Sequence, residues 1–258
     1  MKIVVCVKVV PDTSSSRGID PETFRLDRSG ENRLNPPDGH AVAEAVRLRE
    51  TGEGEVVLLC LGPPESADCL RYPLALGADR AVLVSDVGAA GSDLVATTRV
   101  LAAALERERP DLVIFGQQAV DSNGAVLWAA VADRLRLPMA SRAVAVEVSE
   151  RRATVSSSSE RGLEILELPL PCVIAVSTAI NEPRTPTFRE LKGAAAKPRE
   201  SLTLEDLGLP EEAAGKKGAR TVVLALAEPE SRGERLRIVD DGDAAAAILE
   251  FLAARNLV

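Results

Sequence analysis

Apolar and polar positions along this chain fall into alternating blocks. Residues 2–8 open with a β-branched run, Ile3, Val4, Val5 and Val7, that reads as a buried strand. Residues 38–50 place Ala41, Val42, Ala45, Val46 and Leu48 on one face at helical spacing, with Arg47 and Arg49 outside it. A second strand is predicted over 55–61, ended by Gly62-Pro63-Pro64. A helix over 65–76 follows, which Pro73 should kink or shorten. The third strand is 81–84. Ser92 is then placed to cap a helix carrying Leu94, Leu101 and Leu105, which Pro110-Asp111 breaks. Residues 112–115 make a fourth strand that closes at Gly116, and 122–135 a fourth helix. Strands that are apolar throughout, each followed by a helix, predict a mostly parallel open sheet with helices on both faces, a Rossmann-like α/β fold.

The pattern changes after Pro138. Residues 143–148, 153–158 and 163–168 read as a small antiparallel excursion, and 172–176 as a return to a buried strand. Residues 181–218 are rich in Pro, Lys, Arg and Glu and keep no sustained period, so they read as a long extended arm lying on a partner. One more strand is predicted at 221–226 and a C-terminal helix at 243–255, with Ala246, Leu249, Phe251 and Leu252. The expected organisation is an α/β nucleotide-binding-type domain over 1–192, then a C-terminal arm and helix over 193–258.

Composition narrows the function classes. The chain has 258 residues, 46% apolar and 27% charged, the profile of a globular protein with ample core. Its net charge of −8 offers no broad basic field for nucleic acid, and 2% aromatics offer few stacking platforms for single strands. No uncharged apolar run is long enough for a membrane span. Cys6, Cys60, Cys69 and Cys172 are scattered with no CxxC spacing, so neither a metal site nor dithiol chemistry is expected; they read as small apolar thiols in a reducing cytoplasm.

In an open α/β sheet, ligands sit beyond the carboxyl ends of the strands. The most informative segment there is Gly116-Gln117-Gln118-Ala119-Val120-Asp121-Ser122-Asn123-Gly124. Gly116 ends a strand without a side chain, so a ligand could approach the backbone. Asp121 and Ser122 are good helix caps, and the helix after them would offer free N–H groups to a phosphate. An ordinary strand-to-helix turn has the same residues. No G-x-G-x-x-G follows the first strand, and no G-x-x-x-x-G-K-[ST] or G-x-S-x-G exists. His40 is the only histidine and reads as a solvated residue at a helix start; Ser156 to Ser159 read as a solvated hairpin edge. The pattern is that of a nucleotide-type fold without acid–base machinery of its own, so a redox role needs a borrowed cofactor.

Several motifs, in order along the chain, resemble the beta subunit of electron transfer flavoproteins. Lys2-Ile3-Val4-Val5 with Lys8, Pro11 and Asp12 is similar to the family's opening strand. Asn35-Pro36-Pro37-Asp38, with Ala41-Val42 and Glu44-Ala45-Val46-Arg47-Leu48, resembles its Asn-Pro-x-[Asp/Glu] helix. Gly77-Ala78-Asp79-Arg80, the Gly116-to-Asp121 loop, Gly162-Leu163-Glu164 and Pro171-Cys172-Val173-Ile174-Ala175 also match, and Asn181-Glu182-Pro183-Arg184 is the most specific short match. The resemblance implies an alpha-subunit partner that holds most of the FAD, dehydrogenases as electron donors, and a quinone oxidoreductase or another acceptor. It also implies a nucleotide pocket, usually for AMP, formed by Val7, Asn35, Ser66, Gly116, Gln117, Gln118, Ala119, Val120, Asp121, Ser122 and Asn123. Glu164 should approach the flavin-side interface. The arm from Asn181, Glu182, Pro183 and Arg184 onward should dock partner dehydrogenases, with Phe188 as its apolar anchor.

The chain departs from the family pattern at the loop. Gln117 stands where the family has Lys, and Gly124, Val126 and Trp128 stand where it has Thr, Gln and Gly. Two polar phosphate contacts and one positive charge are lost, which weighs against AMP and more heavily against a second FAD. The broken pattern also motivates an alternative: a nucleotide-binding regulatory module of the universal-stress type, without flavin.

Overall fold

The structure, a computed structural model, describes residues 1–12, 18–50, 52–227, 237–240 and 242–258. Its first compact unit is Met1–Val222. β1 (Lys2–Val7) is the fourth strand of a nine-stranded sheet. On one side of β1 come β4 (Glu55–Leu61), β5 (Arg80–Val84) and β11 (Arg199–Leu202); on the other come β6 (Leu112–Gly116), β10 (Cys172–Val176), β7 (Met139–Ser149), β8 (Arg152–Ser159) and β9 (Gly162–Pro169). Pairing is parallel from β11 through β7 and antiparallel across β7, β8 and β9. The strands alternate two apolar faces. Ile3, Val5 and Val7 pack with Ala41, Val42 and Ala45 of α1 (Pro36–Glu50). Val4 and Cys6 pack with Leu101 and Leu105 of α4 (Leu94–Glu108) and with Val131 of α5 (Leu127–Leu135). Burial on both faces is why these strands read as continuous apolar runs. A separate antiparallel pair, β2 (Val9–Pro11) and β3 (Asn32–Leu34), brackets the excursion between β1 and α1.

Local details differ from the sequence reading. The 65–76 helix is two pieces, α2 (Ser66–Cys69) and α3 (Arg71–Leu76), with Pro73 in the first turn of α3, where no helical N–H is needed. The 122–135 helix begins only at Leu127, because Asn123 and Ala125 take left-handed backbone. Asp93, not Ser92, caps α4: its carboxylate accepts from Ala96 N at 3.0 Å. Ser92 instead uses its hydroxyl to donate to Ala89 O and to accept from Gly215 N.

The stretch expected as a bare arm folds partly onto this chain's own sheet. β11 pairs with β5, and Leu202 and Leu204 are buried against the second core. Short helices α6 (Phe188–Gly193) and α7 (Gly215–Gly218) flank it. The period is absent because only isolated side chains reach the core. Residues 221–227 have no ladder partner, and Val222 and Leu224 are exposed, so the strand expected at 221–226 is not formed among the described residues. The second unit, Val223–Val258, holds α8 (Ala244–Ala253), with the Arg255 guanidinium over the Phe251 ring.

Asp93 also holds the chain close to the end of the first unit, since its other oxygen accepts from Arg220 N, Thr221 N and the Thr221 hydroxyl. Partial burial works upward on its carboxyl, but these donors and Ala96 N–H outweigh it and hold it down at about 2. Asp93→Ala should lower stability by about 1 kcal/mol in urea unfolding at neutral pH. That contribution is fully present above the ordinary value of 3.8 and should vanish as the pH falls through about 2.

Candidate functional site at the carboxyl edge of the sheet

The edge is organised by a carboxylate in the first turn of α1. Asp38 is buried, and its oxygens accept from Lys8 N at 2.7 Å, from Asn35 Nδ2 at 2.9 Å and from the Gly116 N–H. It therefore ties the end of β1 to the end of β6. Burial pushes its pKa up from 3.8 to about 7, against the pull of those donors. Burial, with Asp38 as a second cause, raises the Cys6 thiol well above its ordinary range and the Cys60 thiol to about 12. Both thiols stay neutral and unreactive.

Asn35 is also buried, and it spends every side-chain group it aims at the loop. Nδ2 donates to Gln118 O at 3.0 Å and Oδ1 accepts from Val120 N at 3.0 Å. A Cβ on Gly116 would lie 2.4 Å from Asp38 Oδ1 and 2.7 Å from the Pro37 carbonyl carbon. The room left by that glycine is filled by α1 of the same chain. Asp121 does not cap a helix. Its carboxylate accepts from Lys8 Nζ at 2.7 Å and from the Arg28 guanidinium. Burial works upward on it, and the two cations outweigh burial to lower its pKa.

The far side of the loop is held by Gln117. Its N–H donates to Val176 O at 3.0 Å, its carbonyl accepts from the Trp128 indole N–H at 3.1 Å, and its Oε1 accepts from Arg142 N at 2.8 Å. Trp128 thus braces the loop while packing against the second core. Val7, Asn35 and the Gly116–Asp121 loop are brought together at one place. Gln118, Ser122 and Asn123 are exposed on the loop, and Ala119 and Val120 are half-buried. Ser66 is buried at the start of α2, beside Gly62, on the neighbouring β4 connection. Glu164 is exposed on the edge strand β9, opposite Ser157, with β10, β7 and β8 between it and β6.

The Asn181 segment is anchored to α1. Asn181 Nδ2 donates to His40 O and to Glu44 Oε2, and His40 Nδ1 lies 2.9 Å from Asn181 O. His40, expected to be solvated, is thus a half-buried clamp. Glu182 is exposed and Pro183 half-buried. Arg184 pairs with Glu190 at 2.9 Å and donates to Leu76 O. Thr187 and Glu190 form a reciprocal cap on α6, whose first residue, Phe188, is 83% exposed. Sequence reasoning missed Arg28 and Arg142, since neither lies in a motif, and it read Asp38 only as a helix start. Among the described residues no group of His, Cys, Asp or Glu is placed to hold a metal ion, and no helix is long and apolar enough to cross a membrane.

The family model for the electron transfer flavoprotein domain matches residues 23–207. The chain belongs to the electron transfer flavoprotein family. Within that family it is similar to chains named as beta subunits. One, from Thermoanaerobacterium thermosaccharolyticum, is 34% identical over 263 residues, covering 100% of both chains. Protein FixA of Azorhizobium caulinodans is 35% identical over 257 residues, covering 96% of this chain and 91% of FixA. The caffeyl-CoA reductase-Etf complex subunit CarD of Acetobacterium woodii is 35% identical over 236 residues, covering 90% of each. An electron-transfer role thus accompanies this flavoprotein fold.

Between its ordinary and raised pKa, folded Asp38 holds its proton more tightly than the unfolded chain does. Stability from this group is fully present below 3.8 and lost as the pH rises through about 7. The urea midpoint should therefore fall between about pH 4 and about pH 7, and Asp38→Asn should remove that slope.

Proposed function

We propose that this chain is the beta half of a heterodimeric electron transfer flavoprotein. An alpha subunit holds most of the FAD, dehydrogenases deliver electrons, and a quinone oxidoreductase or another acceptor removes them. The chain is a carrier subunit with no acid–base site of its own, working in the cytoplasm, where buried free thiols such as Cys6, Cys60 and Cys172 are the norm. The observation that carries this reading is the full-length similarity to chains named as beta subunits. The names of the relatives from Etf-containing assemblies support membership of a complex.

The surface supports the same reading. Leu163 and Ile165 leave the edge strand β9 apolar and uncovered, and the exposed Val222–Leu226 stretch and α8 offer further apolar area for an alpha subunit. The exposed residues of the loop, Gln118, Ser122 and Asn123, together with Glu164, would face the shared FAD. AMP fits this edge poorly. Asn35 is spent on the chain's own loop, the room at Gly116 is filled by α1, and Asp121 is neutralised by Lys8 and Arg28.

Co-expression with an alpha subunit should give a yellow complex of one chain each. Nucleotides released on denaturation, separated by liquid chromatography, should be FAD without AMP; one AMP per dimer would overturn the closed-edge reading. A colourless monomer that binds ATP or AMP would instead support the flavin-free regulatory module. Asn181, Glu182, Pro183 and Arg184 shape the root of the docking segment, and Phe188 is its anchor. Phe188→Ala should slow reduction by the partner dehydrogenase about tenfold, the scale of one buried apolar side chain, and leave FAD content unchanged. Loss of FAD in that variant would place the segment at the cofactor and refute docking.

A further inference from the structure

Cations at the carboxyl edge differ in what they are bonded to. Lys8 and Arg28 both serve Asp121. Arg142, in the first part of β7 and level with the carboxyl ends of β6 and β10, is exposed, and its guanidinium has no hydrogen bond or ion pair among the described residues. Its backbone is unusual as well, with φ at +52°, the left-handed region that a side-chain-bearing residue enters at a cost. The ladders on both sides break step here: β7–β8 pairing shifts between Ala143 and Ala145, and β10–β7 pairing shifts between Ile174 and Val176. Such irregularities re-aim a side chain at the end of a strand.

This conformation is held in place. Gln117 Oε1 accepts the Arg142 N–H, and Gln117 is itself pinned by Val176 O and by the Trp128 indole. The next two backbone N–H groups, those of Gln118 and Ala119, find no acceptor among the described residues. A free guanidinium on a residue bonded to Gln117, and unspent N–H groups on the two residues after Gln117, at the ligand edge of a parallel sheet, are donor chemistry for a phosphate. It is also a local exception on a chain of net charge −8.

We infer that Arg142 is an anion-contacting residue of this edge, positioned by Gln117 and Trp128, and that it receives a phosphate or pyrophosphate group. Its assignment to the pyrophosphate of the shared FAD rests on the proposed function; the phosphate chemistry itself does not. The position trades backbone comfort for ligand contact. A glycine there would relieve the positive φ and remove the guanidinium together.

The test is titration calorimetry of inorganic pyrophosphate into the full-length chain, with thermal melting of each variant. Wild type should bind pyrophosphate with an affinity that falls as salt is added. Arg142→Gln should weaken binding at least about tenfold, the scale of one charge-assisted contact, and remove most of the salt dependence. Arg142→Lys should keep part of the affinity. Gln117→Ala should give an intermediate loss with the arginine still present. Arg142→Gly should lose binding while melting at or above the wild-type temperature, an opposition that a structural role does not produce. Wild-type-like binding in Arg142→Gln and Arg142→Gly, or no pyrophosphate binding by wild type, would overturn the inference. Competition by FAD supports FAD as the source of the group; pyrophosphate binding that FAD does not displace keeps the site and overturns that assignment.

Discussion

The buried Asp38 carboxylate is the joint on which the ligand edge depends. Two central parallel strands end side by side in β1 and β6, and their terminal N–H groups, at Lys8 and Gly116, need acceptors. Asp38 supplies one to each and takes a third donor from Asn35. Because it does so from the first turn of α1, the helix is drawn down over Gly116, where only a residue without Cβ leaves room. Asn35 then passes the constraint outward by bonding Gln118 and Val120, so the whole loop after β6 is registered against α1. Burying an ionisable group in this place costs desolvation, and its raised pKa is the measure of that cost.

Polar groups at this edge are largely bonded to one another. The ion pair of Asp121 with Lys8 and Arg28 fastens the long excursion between β1 and α1 to the loop after β6. On the opposite, amino-terminal side of the sheet, a cavity of about 410 Å³ is walled by Lys2, Arg80, Arg107 and Glu108, and pairs such as Lys2–Glu108 and Arg80–Glu108 close off the end of α4. Charge there is consumed in holding the scaffold.

Much of the architecture was legible along the chain. Strands buried on both faces announce themselves as β-branched runs, and the switch to an antiparallel excursion after Pro138 shows as shorter strands between turns. The reading failed where one residue type serves two structures. Asp121 and Ser122 look like helix caps, yet left-handed Asn123 and Ala125 delay α5 to Leu127, which frees Asp121 for its ion pairs. Ser92 and Asp93 are both good caps, and only the chain returning at Arg220 and Thr221 decides between them. The region after Asn181 lacks a period because β11 takes a single edge position and buries few side chains.

By itself the sequence determined the α/β class, the order of the central elements and, through its ordered motifs, the family. These depend on local periodicity and on short contiguous patterns. The tertiary structure alone decided which polar residues are already spent. In sequence Asn35 reads as a pocket residue, Asp121 as a helix cap and His40 as a solvated side chain, yet their partners are Gln118 and Val120, Lys8 with Arg28, and Asn181. Arg142 reads as an ordinary strand charge, and only the fold shows it in left-handed backbone, braced by Gln117, with its guanidinium unpaired among the described residues. Hydrogen bonds and ion pairs between residues tens of positions apart leave no periodic trace, so their outcome exists only once the chain has closed on itself.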